Sequence, residues 1–395
     1  MSIGANTIDT PVILPASSGD HLLSGRIKST PADFVVQEVL GFDFDGHGEH
    51  LYICVRKCAL NTNDVIQSLQ QQFQCRPVDI GVSGLKDKNA ITDQWFSIRT
   101  PKNLGDTNLH CAPQKELLNE SYSAGLATPA GQFCVLKSDR HSRKLRRGSH
   151  RYNRFIITIR EVVNQHPCVP LKAALGTRMR FLQDNGFANY FGPQRFGFDY
   201  QNVFGAERLF ANPKRRLSRN KRSLLISAAR SHLFNSVCAE RVRAKNWNTP
   251  LDGEPMLLDG SQSFFINDSV PDQKMGQNNF IRNGSCTSDD NDNGRLGDTI
   301  ERCQRHDVHP TGPMWGKGET LATGECQQLE SSILRSYTAL REGLENTGLN
   351  QQRRALRANV NHLTWHWQGS SIVKLDFKLL KGVYATSMLS EFVIY

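Results

Sequence analysis

The sequence has no apolar run long enough to cross a bilayer, and Met1 to Thr10 show neither the basic nor the apolar region of a secretory signal. A cytoplasmic protein with no membrane association is therefore expected. Its ten cysteines include no Cys-x-x-Cys pair, so they read as free thiols of a reducing compartment rather than as a disulfide framework. Metal-ligand clustering is equally thin. His47, His50, Cys54 and Cys58 lie near one another, but Leu51, Ile53 and Val55 alternate through them as in a strand, and no metal site is expected. Internal repeats are absent. Acidic residues are the minority charge, 38 against 48 basic, and the net +10 favours a polyanionic partner, nucleic acid before membrane.

With 395 residues, 38% of them hydrophobic, the chain exceeds the usual single-domain size and can build more than one core. Residues 1 to 24 read as an irregular lead-in. Strand patterns then follow at Phe34-Val35-Val36 and through Leu51, Ile53 and Val55. Asn61 or Thr62 caps a predicted helix with Val65, Ile66, Leu69 and Phe73 on one face. Periodicity is lost from Ile98 to about Gln132. Next comes a basic run, Arg140, Arg143, Lys144, Arg146, Arg147, Arg151 and Arg154, leading into the strand Phe155 to Arg160. A second cluster, Lys214 to Arg222, has six Lys or Arg in nine residues, and phosphate contact is the reading for both. Between them, Asn189 to Tyr200 is dense in aromatics and fits either a packed loop or a stacking platform. Helices are predicted at Leu171 to Leu182, Ser223 to Arg243 and Leu329 to Leu344, a loop rich in Asn, Asp, Ser and Gly at 267 to 299, and a rigid turn at Pro310 to Gly316. Val373, Leu375, Phe377 and Leu379 alternate with charged residues as a half-buried strand. A sheet that begins before residue 160 and ends after 370 implies a helical domain inserted between its strands.

The most informative stretch is Val82 to Ile98. It places Asp87 between Lys86 and Lys88 in a predicted tight turn, with β-branched and aromatic strand sequence on either side. Flanking lysines favour the ionised acid, and a carboxylate on a rigid turn is a natural catalytic group, although Lys-Asp-Lys alone also describes a solvated turn tip. The run Gly84 to Phe96 resembles the active-site motif of the TruD family of pseudouridine synthases. Further segments resemble the same family in the same order: Pro31 to Glu38, Gly48 to Leu51, His141 to Gly148, Asn153 to Phe155, Asn189 to Gly197, Ser227 to Ser231 and Tyr384 to Ser387.

The resemblance spans nearly the whole chain. It implies an α+β fold: a pseudouridine-synthase-like catalytic domain with a mixed, largely antiparallel sheet, from residues 1–185 and 361–395, interrupted by a mainly helical TruD insertion domain at 186–360. It implies conversion of a uridine in tRNA, uridine 13, to pseudouridine, with tRNA as partner and no cofactor. A monomer is expected. Asp87 takes the family's catalytic position, and Lys28, Asn153, Phe155 and Tyr384 fall on its other active-site positions. Lys28 would keep Asp87 ionised, Phe155 and Tyr384 would stack on or wall in the base, and Asn153 would bond the pyrimidine edge. Arg143, Lys144, Arg146, Arg147, Arg195, Lys214, Arg215 and Arg216 are the expected RNA contacts, with the RNA gripped by both basic clusters. Asn89, Tyr152, Tyr384 and Ser390 depart from the residues common at those family positions. Two other classes compete: a non-catalytic RNA-binding protein or RNA chaperone, which gives no reason for the Lys28, Asp87, Asn153 and Phe155 set, and a carboxylate hydrolase, which needs a second acid such as Glu38 or Asp93.

Overall fold

The computed structural model describes residues 13–100, 133–268, 279–282, 285–288 and 296–395. These fall into two compact units, one of the described residues within 22–174, 360–382 and 393–395, the other of those within 13–21, 175–359 and 383–392. Where the sequence reading puts the boundary near 185, the division falls inside the helix Leu171–Asn185, and residues 383–392 count with the second unit.

The first unit is one mixed sheet. Its main path runs Asn361–Gln368, Ile372–Leu380, His150–Asn164, Phe34–Leu40, Ile91–Arg99, His50–Lys57 and Phe133–His141. Every neighbouring pair on that path is antiparallel except Phe34–Leu40 with Ile91–Arg99. The expected union of the two ends of the chain holds, because Val373 pairs with Ile159 and Phe377 with Phe155. Alternation explains the placement: Val373, Leu375, Phe377 and Leu379 are all fully buried, while Lys374 is exposed. Leu51, Ile53 and Val55 pack on Val65 and Leu69 of the helix Thr62–Phe73, whose start is fixed by Asp64 accepting the Asn61 N–H at 2.8 Å. Tyr52, Cys54 and Trp95 form a second apolar cluster with Leu145. The strand His50–Lys57 is consequently buried along almost its whole length.

The second unit is built on the helix Arg219–Arg243, which starts before the predicted Ser223 because the Ser218 side chain accepts the Lys221 N–H. Helices Gln201–Ala211, Gly324–Leu334 and Thr338–Glu345 accompany it, the last two separated by the short turn Arg335–Tyr337 where one helix was predicted. Besides helices there is a five-stranded sheet that includes Glu254–Leu258 and Phe264–Asn267. Part of the predicted loop at 267–299 lies outside the described residues, as do 1–12 and 101–132. Its described part holds two strands of that sheet, Asn279–Arg282 and Ser285–Ser288, and the start of the helix Leu296–Gln304. Likewise Thr311–Met314 is a strand, paired with Gln352–Ala355, where a turn was predicted from its prolines. Pro313 is tolerated in that two-stranded edge pairing.

Candidate active site

Asp87 lies directly before a turn at Lys88 and Asn89, within a connection longer than a tight hairpin turn. The strands Ile80–Val82 and Ile91–Arg99 pair from Ile80 opposite Ile98 to Val82 opposite Phe96 and then part, leaving 83–90 as an open loop. Side chains from elsewhere hold it, in place of the hairpin hydrogen bonds it lacks. Thr62 Oγ1 accepts the Lys86 N–H at 3.1 Å and donates to Gln94 Oε1 at 3.0 Å, and Gln94 Nε2 donates to the Gly84 carbonyl at 2.6 Å. Fully buried Lys57 donates to the Asp87 carbonyl at 2.9 Å and the Leu60 carbonyl at 2.8 Å. Burial pushes the Lys57 ammonium down to about 8, against the opposing pull of Asp87. The loop is therefore clamped from beneath at three points.

The Asp87 side chain faces outward, 46% exposed. Lys28 Nζ donates to Oδ2 at 2.9 Å and the Asn89 N–H to Oδ1 at 3.1 Å. Partial burial pushes the Asp87 carboxyl up, but the Lys28 and Asn89 hydrogen bonds and the Lys28 and Lys57 charges outweigh it, so its pKa is lowered and the acid is ionised at neutral pH. Lys28 has φ +59°, the left-handed region that a side-chain-bearing residue seldom occupies, which marks a place where local strain is held by the surroundings. Its Nζ lies 4.4 Å from the centroid of the Phe34 ring. Phe34 meets Phe155 edge to face at 6.2 Å, and Phe155 stacks on Phe377 at 5.5 Å. Lys28 thus links the ionised carboxylate to a cluster of three buried rings, Phe34, Phe155 and Phe377.

Behind it runs a buried polar chain. Glu38 accepts the Trp95 N–H at 2.9 Å and pairs with Lys86 Nζ at 3.0 Å; Lys86 also donates to Asn153 Oδ1 at 2.7 Å. On its other side the Asn153 amide meets His150 Nε2 at 3.3 Å, and His150 Nδ1 meets Ser83 Oγ. Burial, then the charges of Lys86 and Lys381, push His150 down to about 4, so the ring is neutral. With Nε2 accepting from Asn153, Nδ1 carries the proton and donates to Ser83, which fixes which end of the Asn153 amide faces which neighbour. Tyr152 pairs with Val39 and Leu380 just after a register shift between the Leu40–His150 and Val39–Tyr152 pairs, and Asn153 follows opposite Glu38 and Leu379. Burial of Glu38, Lys57 and Lys86 gave no signal in the sequence except that each lies in or next to a strand pattern.

The other expected residues divide. Arg143, Arg146, Arg147, Lys214, Arg215 and Arg216 are exposed. Lys144 is half-buried and donates to the Val78 carbonyl, and Arg154, at the end of the first basic run, forms an ion pair with Asp376. Tyr384 lies in the second unit, where Arg195 donates to its hydroxyl oxygen at 3.1 and 2.6 Å and to Ser227 Oγ at 2.9 Å. Among the described residues no three His, Cys, Asp or Glu converge to hold a metal ion, and no helix is long and apolar enough to cross a membrane.

A mixed, largely antiparallel sheet with a second unit inserted in the chain between its strands is an α+β architecture. The fold matches the crystal structure of a putative tRNA pseudouridine synthase D (TruD) from Methanosarcina mazei, with TM-score 0.63 and 20% identity over 97% of this chain and 96% of that one. Relatives named tRNA pseudouridine synthase D are 37% identical over 380 residues in Methylococcus capsulatus (96% of this chain, 94% of the relative) and 37% over 396 residues in Xanthomonas campestris (97% and 95%). The family model of tRNA pseudouridine synthase D (TruD) matches residues 18–205 and 200–392, and the chain belongs to that family.

Proposed function

We propose that this protein isomerises uridine 13 of a tRNA to pseudouridine in the cytoplasm, with Asp87 as the catalytic carboxylate. The observation that carries this reading is the Lys28–Asp87 pair: ionised, half-exposed, on a clamped loop, with Lys28 also 4.4 Å from the Phe34 ring, the first of the Phe34, Phe155 and Phe377 cluster. The reaction detaches uracil from its N1 bond to the sugar, turns the base and rejoins it through C5, with no net gain or loss of atoms or electrons. It needs the base out of its stack, a carboxylate at the reacting face and a wall that keeps the loose uracil from water. Asp87 supplies the carboxylate. Phe34 and Phe155 supply apolar surface, and Asn153, its amide held by Lys86 and His150, supplies a fixed hydrogen-bonding edge for the pyrimidine. Tyr384 is carried as an aromatic substrate contact on the family resemblance, its hydroxyl gripped by Arg195.

The exposed Arg143, Arg146, Arg147, Lys214, Arg215 and Arg216 are the phosphate contacts of this reading, each contributing a slope of about −0.7 to the salt dependence if the phosphate is single-stranded. A carboxylate hydrolase finds less support. Asp93 is locked to Arg56 at 2.6 Å and to Gln37, and Glu38 to Lys86 and Trp95, so both candidate second acids are already engaged. Mass-spectrometric mapping of tRNA incubated with the pure protein tests the proposal. Pseudouridine at position 13 is the expected result; free uracil would point to a glycosidase, and unchanged RNA to a binding protein.

A further inference from the structure

Within the aromatic stretch Asn189 to Tyr200, Tyr190, Phe191 and Phe196 are buried, but Phe198 is 86% exposed. Burying a phenylalanine is worth about 1.5–3 kcal/mol, so packing gives no reason for that ring to face water. The backbone that presents it is left-handed on both sides: Gly197 has φ +74°, Asp199 +47° and Tyr200 +61°. Two side-chain-bearing residues in succession in that region carry strain, and such strain persists only where neighbours impose it. Here they do. Phe196 and Tyr200 stack beneath the turn with centroids 4.8 Å apart and planes 14° apart. Asn202 ties the turn from three directions: its N–H donates to the Phe196 carbonyl at 2.9 Å, its amide donates to the Arg195 carbonyl at 3.3 Å, and its Oδ1 accepts from Lys221 Nζ at 3.4 Å. A Cβ at Gly197 would come within 2.9 Å of the Asn202 amide, so the turn closes with no room for a side chain there.

Lys221 belongs to the Lys214–Arg222 basic cluster, of which Lys214, Arg215, Arg216, Arg219 and Lys221 are exposed. Leu224, one helical turn beyond Lys221, is also partly exposed. An exposed ring on a turn that Asn202 ties to Lys221 of a basic cluster matches an RNA strand, which offers flat bases and phosphates together. We propose that Phe198 is a stacking contact for an unpaired base of the bound RNA, outside the reacting uridine. This rests on the proposed function in one respect only, that the partner is tRNA.

The test is equilibrium binding of unmodified tRNA transcript at several salt concentrations to the wild type, Phe198→Ala and Phe198→Trp, with pseudouridine formation by the wild type assayed alongside. Loss of one base–aromatic stack should raise Kd about ten-fold in Phe198→Ala, and Phe198→Trp should restore it. The slope of log Kd against log salt should stay unchanged in both, since no charge is removed, whereas Lys214→Glu with Arg215→Glu should flatten it. Wild-type affinity in Phe198→Ala, or a loss that tryptophan does not repair, would overturn the proposal. If the wild type makes no pseudouridine but Phe198→Ala still weakens binding, the catalytic assignment fails and the stacking contact stands. If the wild type makes pseudouridine and Phe198→Ala binds as tightly as the wild type, the stacking contact fails and the catalytic assignment stands.

Discussion

Two lysine–carboxylate pairs meet in the same loop. Lys28 and Asp87 are 2.9 Å apart with 34% and 46% of their side chains exposed, while Lys86 and Glu38 are 3.0 Å apart with 9% and 0% exposed. The chemistry is the same and the consequences are opposite. Burial dominates at Glu38 and raises its pKa against the pull of Lys86 and the Trp95 N–H, and each partner also has a second bond, so both are engaged inside the protein. At Asp87 hydrogen bonds and neighbouring charge prevail over a smaller burial effect, leaving an ionised group that solvent, and hence a substrate, can reach. The enclosed pair is an anchor, while the Asp87 carboxylate, both of whose oxygens accept a hydrogen bond, remains 46% exposed.

The largest expected effect breaks the exposed pair. Asp87→Asn keeps the shape but removes the charge and turns one of the two oxygens that accept from Lys28 and the Asn89 N–H into a donor, and single-turnover pseudouridine formation should fall on the order of 10⁴-fold or more while tRNA affinity is kept or tightens slightly. A variant turning over at the wild-type rate would remove Asp87 from the chemistry. Next in size is the buried pair. Glu38→Ala leaves Lys86 enclosed and unpaired, which should cost about 3–5 kcal/mol in urea unfolding, and combining Glu38→Leu with Lys86→Met should cost less than Glu38→Ala alone. Equal losses for the single and double variants would mean that the pairing itself contributes nothing.

Lys28→Met sharpens the contrast further. Turnover should drop about 10²-fold, less than for Asp87→Asn, and the acid limb of the rate profile should move to higher pH, because the Lys28 bond and charge are what hold the Asp87 pKa down. An acid limb that stays in place would show that Lys28 does not set the ionisation. The smallest effect concerns Lys57, whose pKa falls from 10.5 to about 8 on folding. Between those values the unfolded chain binds more protons than the folded one, so this group makes stability rise as pH increases from about 8 to 10.5. Lys57→Met should abolish that rise and, by leaving the Leu60 and Asp87 carbonyls without a donor, cost about 1–3 kcal/mol. Urea unfolding at several pH values measures both.

Local sequence determined the elements whose signal is periodic. The alternation from Val373 to Leu379 specified a half-buried strand, the spacing of Val65, Leu69 and Phe73 specified a helix face, and Asp87 stood out by the motif around it. Strands at Asn279–Arg282, Ser285–Ser288 and Thr311–Met314 were not legible, because short polar or proline-bearing segments become strands only when a partner edge is offered to them. The loop at 83–90 was read as a tight turn since nothing local reveals that Thr62, Gln94 and Lys57 clamp it. Tertiary structure alone decided which of two carboxylates, Glu38 or Asp87, would be enclosed and which of two phenylalanines, Phe196 or Phe198, would face water. The reason is that desolvation sums contacts from remote parts of the chain: Lys28 reaches Asp87 across 59 positions and Lys86 reaches Asn153 across 67, while propensity and periodicity act over one or two turns.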